Sequence, residues 1–254
     1  MRKYGYLVVE GPHDVEFVYR LLSTFGLSRV QWGKDLDAKM VPLIPISFPP
    51  QGDLLKSMPV PLFTQSQTHA IAIHSATGDS RLVATLEENR TILSFSDLTG
   101  VGLLLDSDLE IAPLSRYETI CGLMKSKELV LPEKPGLVLN GKPRMGAFIL
   151  PDNINQGSLE DVLLECAASA YPHVLQHATQ YVTNASHQAL ADGKDLSKPA
   201  LRKKAIVGSI ATVLRPGRAV QVSIQDNAWL RDQNLKLPRV DAVLSFLAEL
   251  FELG

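Results

Sequence analysis

Carboxylate side chains recur in this sequence where an apolar run ends or a helical pattern begins. Glu10 follows the first β-rich run, and Asp14 lies in the first turn of the helical pattern that comes next. Asp106 and Asp108 directly follow a continuous apolar run, and Glu160 lies at the start of a later helical pattern. Carboxylate oxygens are the ligands that Mg²⁺ or Mn²⁺ prefers, whereas zinc favours nitrogen and sulfur. These five residues are therefore candidates for a site that holds hard cations.

Most of these carboxylates also have a purely structural explanation. Asp14 is favoured at a helix N-terminus by the helix dipole. Asp106 and Asp108 suit a turn after a strand. Asp161 completes the spacing of a capping box, which makes it more typical of a helix cap than of a metal ligand. Glu160, its neighbour, has no capping role that would explain it.

A parallel sheet would bring these segments together, and the hydrophobic pattern predicts one. Apolar runs predict strands at 4–9, 69–74 and 101–105, and a hairpin over 137–150. Helical spacing predicts helices at 15–25, 78–93, 114–123, 159–170, 173–190, 199–214 and 239–252. Strands that alternate with helices indicate an α/β fold with a mainly parallel sheet, whose carboxyl ends share one ligand-binding edge.

The pattern divides the chain into an α/β core at 1–170 and a helical, basic part at 171–254 that we expect to pack on the core. No signal peptide and no membrane-spanning apolar stretch are recognised. Cys121 and Cys166 are too few for a disulfide framework and lack metal-ligand spacing, so a cytoplasmic location is expected.

Basic residues are concentrated in the second part of the chain. The segment 192–239 holds ten basic residues against four acidic ones, although the whole chain carries a net charge of −2. We expect this segment, including Arg215 and Arg218, to contact the phosphates of a nucleic acid. The alternative is a solvated helical face whose lysines and arginines serve solubility.

Two of the acidic motifs resemble the Toprim domain. They are Leu7-Val8-Val9-Glu10-Gly11 with Asp14, and Leu103-Leu104-Leu105-Asp106-Ser107-Asp108. This domain is shared by bacterial primases, type IA and type II topoisomerases, recombination proteins and the OLD (overcoming lysogenization defect) nucleases. The resemblance implies a Toprim-like catalytic core with a mainly parallel sheet flanked by helices.

Further motifs resemble a small stand-alone group of OLD-related proteins and cover most of the chain. They are 146–153, Gly157-Ser158-Leu159-Glu160-Asp161, Lys203-Lys204-Ala205 and a C-terminal Leu244-x-x-Phe-Leu. The resemblance implies that Glu10 is an acid/base group or metal ligand. It also implies four further metal ligands: Asp14, Asp106, Asp108 and Glu160.

The same resemblance implies that a lysine of the pair Lys203-Lys204 lies near the transition-state phosphate. If Leu201, Ala205 and Ile210 mark the buried face of their helix, Lys204 borders that face and Lys203 points more nearly to solvent. Lys204 is therefore the preferred catalytic lysine, with Lys203 as a nucleic-acid contact. Two solvated lysines are the alternative.

The expected function is hydrolysis of nucleic-acid phosphodiesters, in DNA more than in RNA, with two Mg²⁺ or Mn²⁺ ions shared by the five carboxylates. A P-loop, which full-length OLD proteins carry in their ATPase, does not occur in the sequence. An ABC-type ATPase would therefore be a separate partner, and the stand-alone relatives imply a role in bacterial antiphage defence. The sequence leaves open whether the chain forms a homo-oligomer, and no membrane partner is expected.

Two other functions are compatible with the same residues. One is a catalytically inactive Toprim-like module that binds nucleic acid or a partner protein. The other is a phosphotransfer enzyme or small-nucleotide hydrolase, against which the basic second part argues only weakly.

Overall fold

A computed structural model describes residues 2–46, 60–108, 111–186, 195–196 and 198–254, apart from the side chain of Asp79. The described residues form an α/β fold around a seven-stranded sheet. Its strands are β1 (Lys3–Val9), β2 (Ser28–Arg29), β3 (Leu62–Gln65), β4 (His69–Ser75), β5 (Gly100–Asp106), β6 (Val138–Leu139) and β7 (Arg144–Leu150). The α/β class expected from the sequence is thus confirmed.

The sheet has a parallel centre and antiparallel edges. Its strand order is β2-β3-β4-β1-β5-β7-β6. The four central strands, β4, β1, β5 and β7, run parallel to one another. The outer strands β2, β3 and β6 pair antiparallel to their neighbours. The carboxyl ends of the four central strands therefore lie along one edge of the sheet.

Helices cover both faces of the sheet. They are α1 (Pro12–Ser23), α2 (Leu82–Leu93), α3 (Pro113–Lys125), α4 (Leu159–Ala170), α5 (Pro172–Ala185), α6 (Pro199–Leu214), α7 (Val220–Gln225) and α8 (Pro238–Phe251). Alternating residues of β1 show the division, because Leu7 packs with α1 and the C-terminal helices, whereas Val8 packs with α2 and α3. This alternation follows from the two-residue period of a strand.

The connections that leave β1 and β5 pass over opposite faces of the sheet. Helix α1, which follows β1, lies in one hydrophobic core, and α3, which follows β5, lies in the other. Because the two chains diverge, a crevice opens between the carboxyl ends of these adjacent strands. Ligands bind at such switch points in open α/β sheets.

The last helix packs directly on the middle of the sheet. A Cβ atom added at Gly5 would lie 2.5 Å from the Phe251 ring, and one at Gly100 would overlap the carbonyl oxygen of Leu250. At Gly146 it would lie 2.8 Å from the Phe246 ring. The strand glycines therefore let α8 approach the backbone closely.

The predicted strands, the 137–150 hairpin and the helices of the sequence analysis are found with small shifts at their ends. Strands β2 and β3 and helix α7 were not predicted. They are short, and they lack the periodicity of longer elements. Two charged residues of the basic segment 192–239, Asp192 and Lys194, lie outside the described residues. The end of the predicted 173–190 helix also lies outside them. In the described part of the chain, no helix is both long and apolar enough to cross a bilayer.

Replacing Gly100 by alanine should weaken the packing of α8 on the sheet. The new methyl group meets the Leu250 backbone, which cannot move away as a flexible side chain can, so we expect a loss of about 1–3 kcal/mol in unfolding free energy. The control is Gly122→Ala in α3, where an added Cβ meets no atom within 4 Å. Urea denaturation should show the control unchanged or more stable, and equal effects of the two substitutions would contradict the close approach.

Candidate functional site

Four carboxylates meet in the crevice between β1 and β5. Glu10 follows the last residue of β1, and Asp106 is the last residue of the neighbouring β5. Asp14 lies in the first turn of α1, and Glu160 lies in the first turn of α4. Hydrogen bonds join the end of β1 to the end of β5 and the end of β5 to the start of α4, so these segments converge. Their sharing of one sheet edge agrees with the parallel sheet that the sequence predicts.

Hydrogen bonds from the backbone orient the two strand-end carboxylates. The Asp106 N–H donates to Glu10 Oε1 over 3.2 Å, which joins the ends of β1 and β5. The Leu159 N–H donates to Asp106 Oδ1 over 2.9 Å, which joins β5 to the start of α4. Asp106 thereby satisfies one of the backbone donors that a helix N-terminus leaves without an intrahelical partner.

The two helical carboxylates are also oriented by local hydrogen bonds. Gly11 N–H donates to Asp14 Oδ2 over 2.8 Å, so Asp14 does have the helix-terminal role that its position suggested. Ser158 Oγ donates to Glu160 Oε2 over 2.7 Å. All four side chains are therefore held in place by the protein itself, as a preorganised site requires.

Burial and mutual repulsion raise the pKa of the carboxyl groups in the crevice. Burial, together with the charges of Glu10 and Glu160, raises the pKa of Asp14 to about 7. Burial and the charges of Asp14, Glu10 and Glu160 hold the pKa of Asp106 well above its ordinary value. A bound cation would favour the charged form of these carboxyl groups and so lower their pKa.

Asp108 and its flanking loop are held against the segment before α4. Ser107 is fully buried, and its Oγ donates to the Gly157 carbonyl and accepts from the Gly157 N–H over 2.8 Å. Asp108 N–H donates to the same carbonyl over 3.0 Å, and the Asp108 side chain is exposed. The structure thus fixes the backbone of Asp108 beside the crevice, and its part in metal binding stays a prediction.

Cationic side chains border the carboxylates. Arg116, in the first turn of α3, lies with Nη2 3.4 Å from Glu10 Oε1, and its side chain is only 11% exposed. Lys203 Nζ lies 2.6 Å from Asp161 Oδ1. The pKa of His13 is lowered by burial, while the charge of Glu160 raises it and that of Lys204 lowers it. Lys204 and Glu160 therefore both lie near His13.

The predicted orientation of Lys203 towards solvent is wrong. The buried residues of α6 are Ile206, Val207, Ile210 and Ala211, so its buried face is rotated from the one that Leu201 and Ala205 suggested. Lys203 lies on the edge of this face and is half-buried, whereas Lys204 is exposed. Helix geometry therefore does not decide which of the two lysines is catalytic, and their neighbours have to be compared. Among the described residues, Lys203 has a short ion pair to a carboxylate, that of Asp161, and Lys204 has none.

Arg215 and Arg218 lie at the other end of α6 from the crevice. Arg215 follows Lys203 by twelve residues, which is roughly 18 Å along a helix. Its Nε donates to Asp226 Oδ2 over 2.8 Å, and Arg218 is exposed. These arginines and the carboxylates are thus separate parts of the surface, and whether the arginines bind nucleic acid stays a prediction.

The chemistry of the cluster suits Mg²⁺ or Mn²⁺. Among the residues that the structure describes, no group of three or more histidine, cysteine or carboxylate side chains is arranged to enclose a metal ion. Mg²⁺ commonly keeps several waters and uses only one or two protein carboxylates, so a complete cage is not required. Burial first, and then the charges of neighbouring carboxylates, raise the pKa of Asp14 and Asp106, and a bound cation would oppose both effects.

Two residues of the site escaped sequence reasoning. Arg116 had no recognisable motif, and only its place in the first turn after the Asp106 loop could have indicated it. His13, next to Asp14 in the sequence, had no recognisable motif either. Both reach the crevice because helices α1 and α3 begin at the same edge of the sheet.

Comparisons with known proteins give a family and a fold. Residues 4–252 match the family described as "Protein of unknown function (DUF3226)". The crystal structure of hypothetical protein PH0156 from Pyrococcus horikoshii OT3 superposes with a TM-score of 0.57 at 16% sequence identity. The match covers 98% of this chain and 95% of that one. No curated protein matches the sequence. At this identity the solved structure supports the fold alone.

Asp14→Asn should change stability in a pH-dependent way. The raised pKa means that the folded protein holds a proton on Asp14 that the unfolded chain releases, so this contribution is present at low pH and is lost as pH rises through about 7. Asparagine mimics the protonated acid, so Asp14→Asn should raise the melting temperature at about pH 8 and leave it nearly unchanged at about pH 4.

The control for this measurement is Asp97→Asn, at an exposed carboxylate that pairs with Lys39. It should show no gain at high pH. Metal-free samples in EDTA are compared by thermal denaturation, and a gain of equal size at both pH values for Asp14→Asn would contradict the raised pKa.

Proposed function

We propose that this chain, which belongs to the DUF3226 family, is a Mg²⁺- or Mn²⁺-dependent nuclease that hydrolyses phosphodiester bonds. The observation that carries the proposal is the convergence of Glu10, Asp14, Asp106 and Glu160 in one crevice. The motifs around these residues resemble those of the Toprim domain and of stand-alone OLD-related proteins. Repelling carboxylates are costly to keep together, and active sites commonly trade stability for function in this way.

The four carboxylates would hold the cations, with Asp108 as a further ligand at the rim. Bound Mg²⁺ supplies Lewis-acid stabilisation of phosphate oxygens and a hydroxide nucleophile at neutral pH. Glu10 would accept or return a proton, because its side chain is 19% exposed and lies beside Arg116. The hydrogen bond from the Asp106 backbone keeps Glu10 oriented for this role.

Cationic side chains on the rim would stabilise the substrate phosphate. Lys204 is exposed and lies near His13 and Glu160, so it can reach a phosphate that enters the crevice from solvent. Lys203 is engaged by Asp161 and would keep the start of α4 in position. Arg116 lies beside Glu10. Preorganised cations of this kind stabilise the charge that develops in phosphoryl transfer.

The biological setting follows from the resemblance and belongs to the same proposal. The nuclease would act on DNA rather than RNA in the bacterial cytoplasm, as an effector of antiphage defence. As the resemblance to stand-alone OLD-related proteins implies, it would work beside an ABC-type ATPase. Both cysteines are free, in keeping with a reducing compartment.

A catalytically inactive binding module is the second candidate. It is favoured by the structural hydrogen bonds of all four carboxylates and by the ion pair between Arg116 and Glu10. Such contacts stabilise a fold without any reaction. The two candidates differ in whether the carboxylates are needed for turnover.

Supercoiled plasmid should be nicked or linearised by the purified chain with Mg²⁺ or Mn²⁺ and left intact with EDTA. Glu10→Gln and Asp106→Asn should each lower the cleavage rate by at least about 100-fold, because each removes a proton-transfer group or a charge that holds the cation. Agarose gels with a time course measure the rate.

The matched control is Glu118→Gln, an exposed carboxylate on α3 two residues from Arg116. It should cleave like the wild-type protein. Cleavage that persists in Glu10→Gln and Asp106→Asn would point to a contaminating nuclease, whereas folded wild-type protein without any cleavage would favour the binding module.

Divalent cations should stabilise the wild-type protein against heat. At a concentration about 100 times the dissociation constant, binding to the folded state alone adds about 2.7 kcal/mol of stability. Asp106→Asn should bind more weakly and respond much less, whereas Glu118→Gln should respond fully. Differential scanning fluorimetry in EDTA, Mg²⁺ and Mn²⁺ measures the shift, and equal shifts in all three proteins would remove Asp106 from the metal site.

A further inference from the structure

A groove of about 840 Å³ lies between α5, α6 and α7, away from the carboxylate crevice. Helix α5 lines it with Tyr181, and α6 lines it with Gly208, Thr212 and Val213. Arg218, Ala219 and Val220 close it at the start of α7. Its volume is in the range of sites that bind small molecules or parts of polymers.

The groove combines apolar walls with positive charge. Tyr181 is 67% exposed and Val213 is 62% exposed, so both present large apolar surfaces to solvent. A Cβ atom added at Gly208 of α6 would meet no atom within 4 Å, so there is open space beside this part of the helix. Arg218 is the permanently charged side chain among the described lining residues, and none of those lining residues is acidic. The surface therefore complements an anion that also has flat apolar faces.

Helix α6 connects this groove with the carboxylate crevice. Lys204 and Glu160 both lie near His13. Lys204 also begins a stripe on α6 that continues through Gly208 and Thr212 at intervals of four residues. Residues spaced in this way lie on one side of a helix. The stripe is roughly 12 Å long, so one extended ligand can contact Lys204 and the groove together.

We propose that the groove binds a single-stranded segment of nucleic acid and leads it along α6 to the carboxylate crevice. The destination of the strand rests on the proposed nuclease function. A base would stack on the ring of Tyr181, where its flat face covers exposed apolar surface. Arg218 and Lys204 would contact phosphates at the two ends of the segment.

The composition of the groove distinguishes a single strand from a duplex. Binding a duplex depends on an array of cations along two phosphate backbones, whereas the described lining residues include only Arg218 as a permanent cation. In a duplex the bases are stacked on one another, so the Tyr181 ring would have no base face to cover. A single strand exposes both the base faces and the phosphates that this surface fits.

The test compares binding of a fluorescent oligothymidylate of about 16 nucleotides, measured by anisotropy with the full chain in EDTA. Tyr181→Ala removes the stacking ring, and Gly208→Leu fills the open part of the groove. Each should weaken binding of the single strand about ten-fold, and Arg218→Gln should also weaken it. Binding of a duplex of the same length should change little.

The control is Gly122→Leu in α3, which places the same side chain at another helical glycine with open space around it. It should bind the oligonucleotide like the wild-type protein. Unchanged single-strand binding in Tyr181→Ala and Gly208→Leu, or an equal loss with the duplex, would overturn the proposal. A fall in molecular mass of these variants in light scattering would also overturn it and assign the groove to a second copy of the chain.

Binding in EDTA separates this proposal from the nuclease function. Loss of oligonucleotide binding in the groove variants, together with a wild-type protein that never cleaves plasmid, would retain the groove and reject the nuclease. If the wild-type protein cleaves plasmid and the groove variants bind the oligonucleotide as it does, the nuclease would be retained and the groove rejected.

Discussion

Repulsion among buried carboxylates is the constraint on which the site depends. Asp14 and Asp106 are held in a crevice where burial and like charges raise the pKa of both groups. The hydrogen bonds from Gly11 and Leu159 offset part of this cost, because a backbone N–H favours the charged form of a carboxylate. The rest of the cost has to be borne by the packing of the surrounding elements, and a cation would lower it.

That packing comes from both ends of the chain. Helix α8 lies on β1, β5 and β7, the strands around the crevice, and the absence of side chains at Gly5 and Gly100 lets it approach. The segment 171–254 is therefore part of the support of the sheet as well as a basic region. Ser107 adds a local restraint by joining the loop after β5 to Gly157 before α4. The position of Asp106 is thus determined by contacts that span much of the sequence.

The sequence contained the elements of the site but not their exact relations. The run before Asp106 is apolar throughout, which predicted a strand, and the position of Glu10 after a β-rich run predicted a second strand end. Glu10 and Asp106 come together because β1 and β5 are neighbours in the sheet. The orientation of Lys203 could not be predicted in this way, because the buried face of α6 depends on tertiary contacts with α4 and α5 rather than on its weak periodicity. Arg116 likewise becomes a neighbour of Glu10 only through the crossover of α3.

Helix α6 gives the basic segment a different meaning from the one its composition suggested. A charge count treats Lys203, Lys204, Arg215 and Arg218 as one positive region, but Lys203 and Arg215 lie at opposite ends of α6, roughly 18 Å apart. Lys203 and Arg215 are paired with Asp161 and Asp226, which reduces the net charge that a polymer would encounter. What distinguishes this surface is therefore the arrangement of its remaining cations, Lys204 on α6 and Arg218 just beyond the end of α6, with an apolar groove between them. The single strand proposed as its ligand would match that arrangement with phosphates at the two cations and base faces over the apolar surface between them.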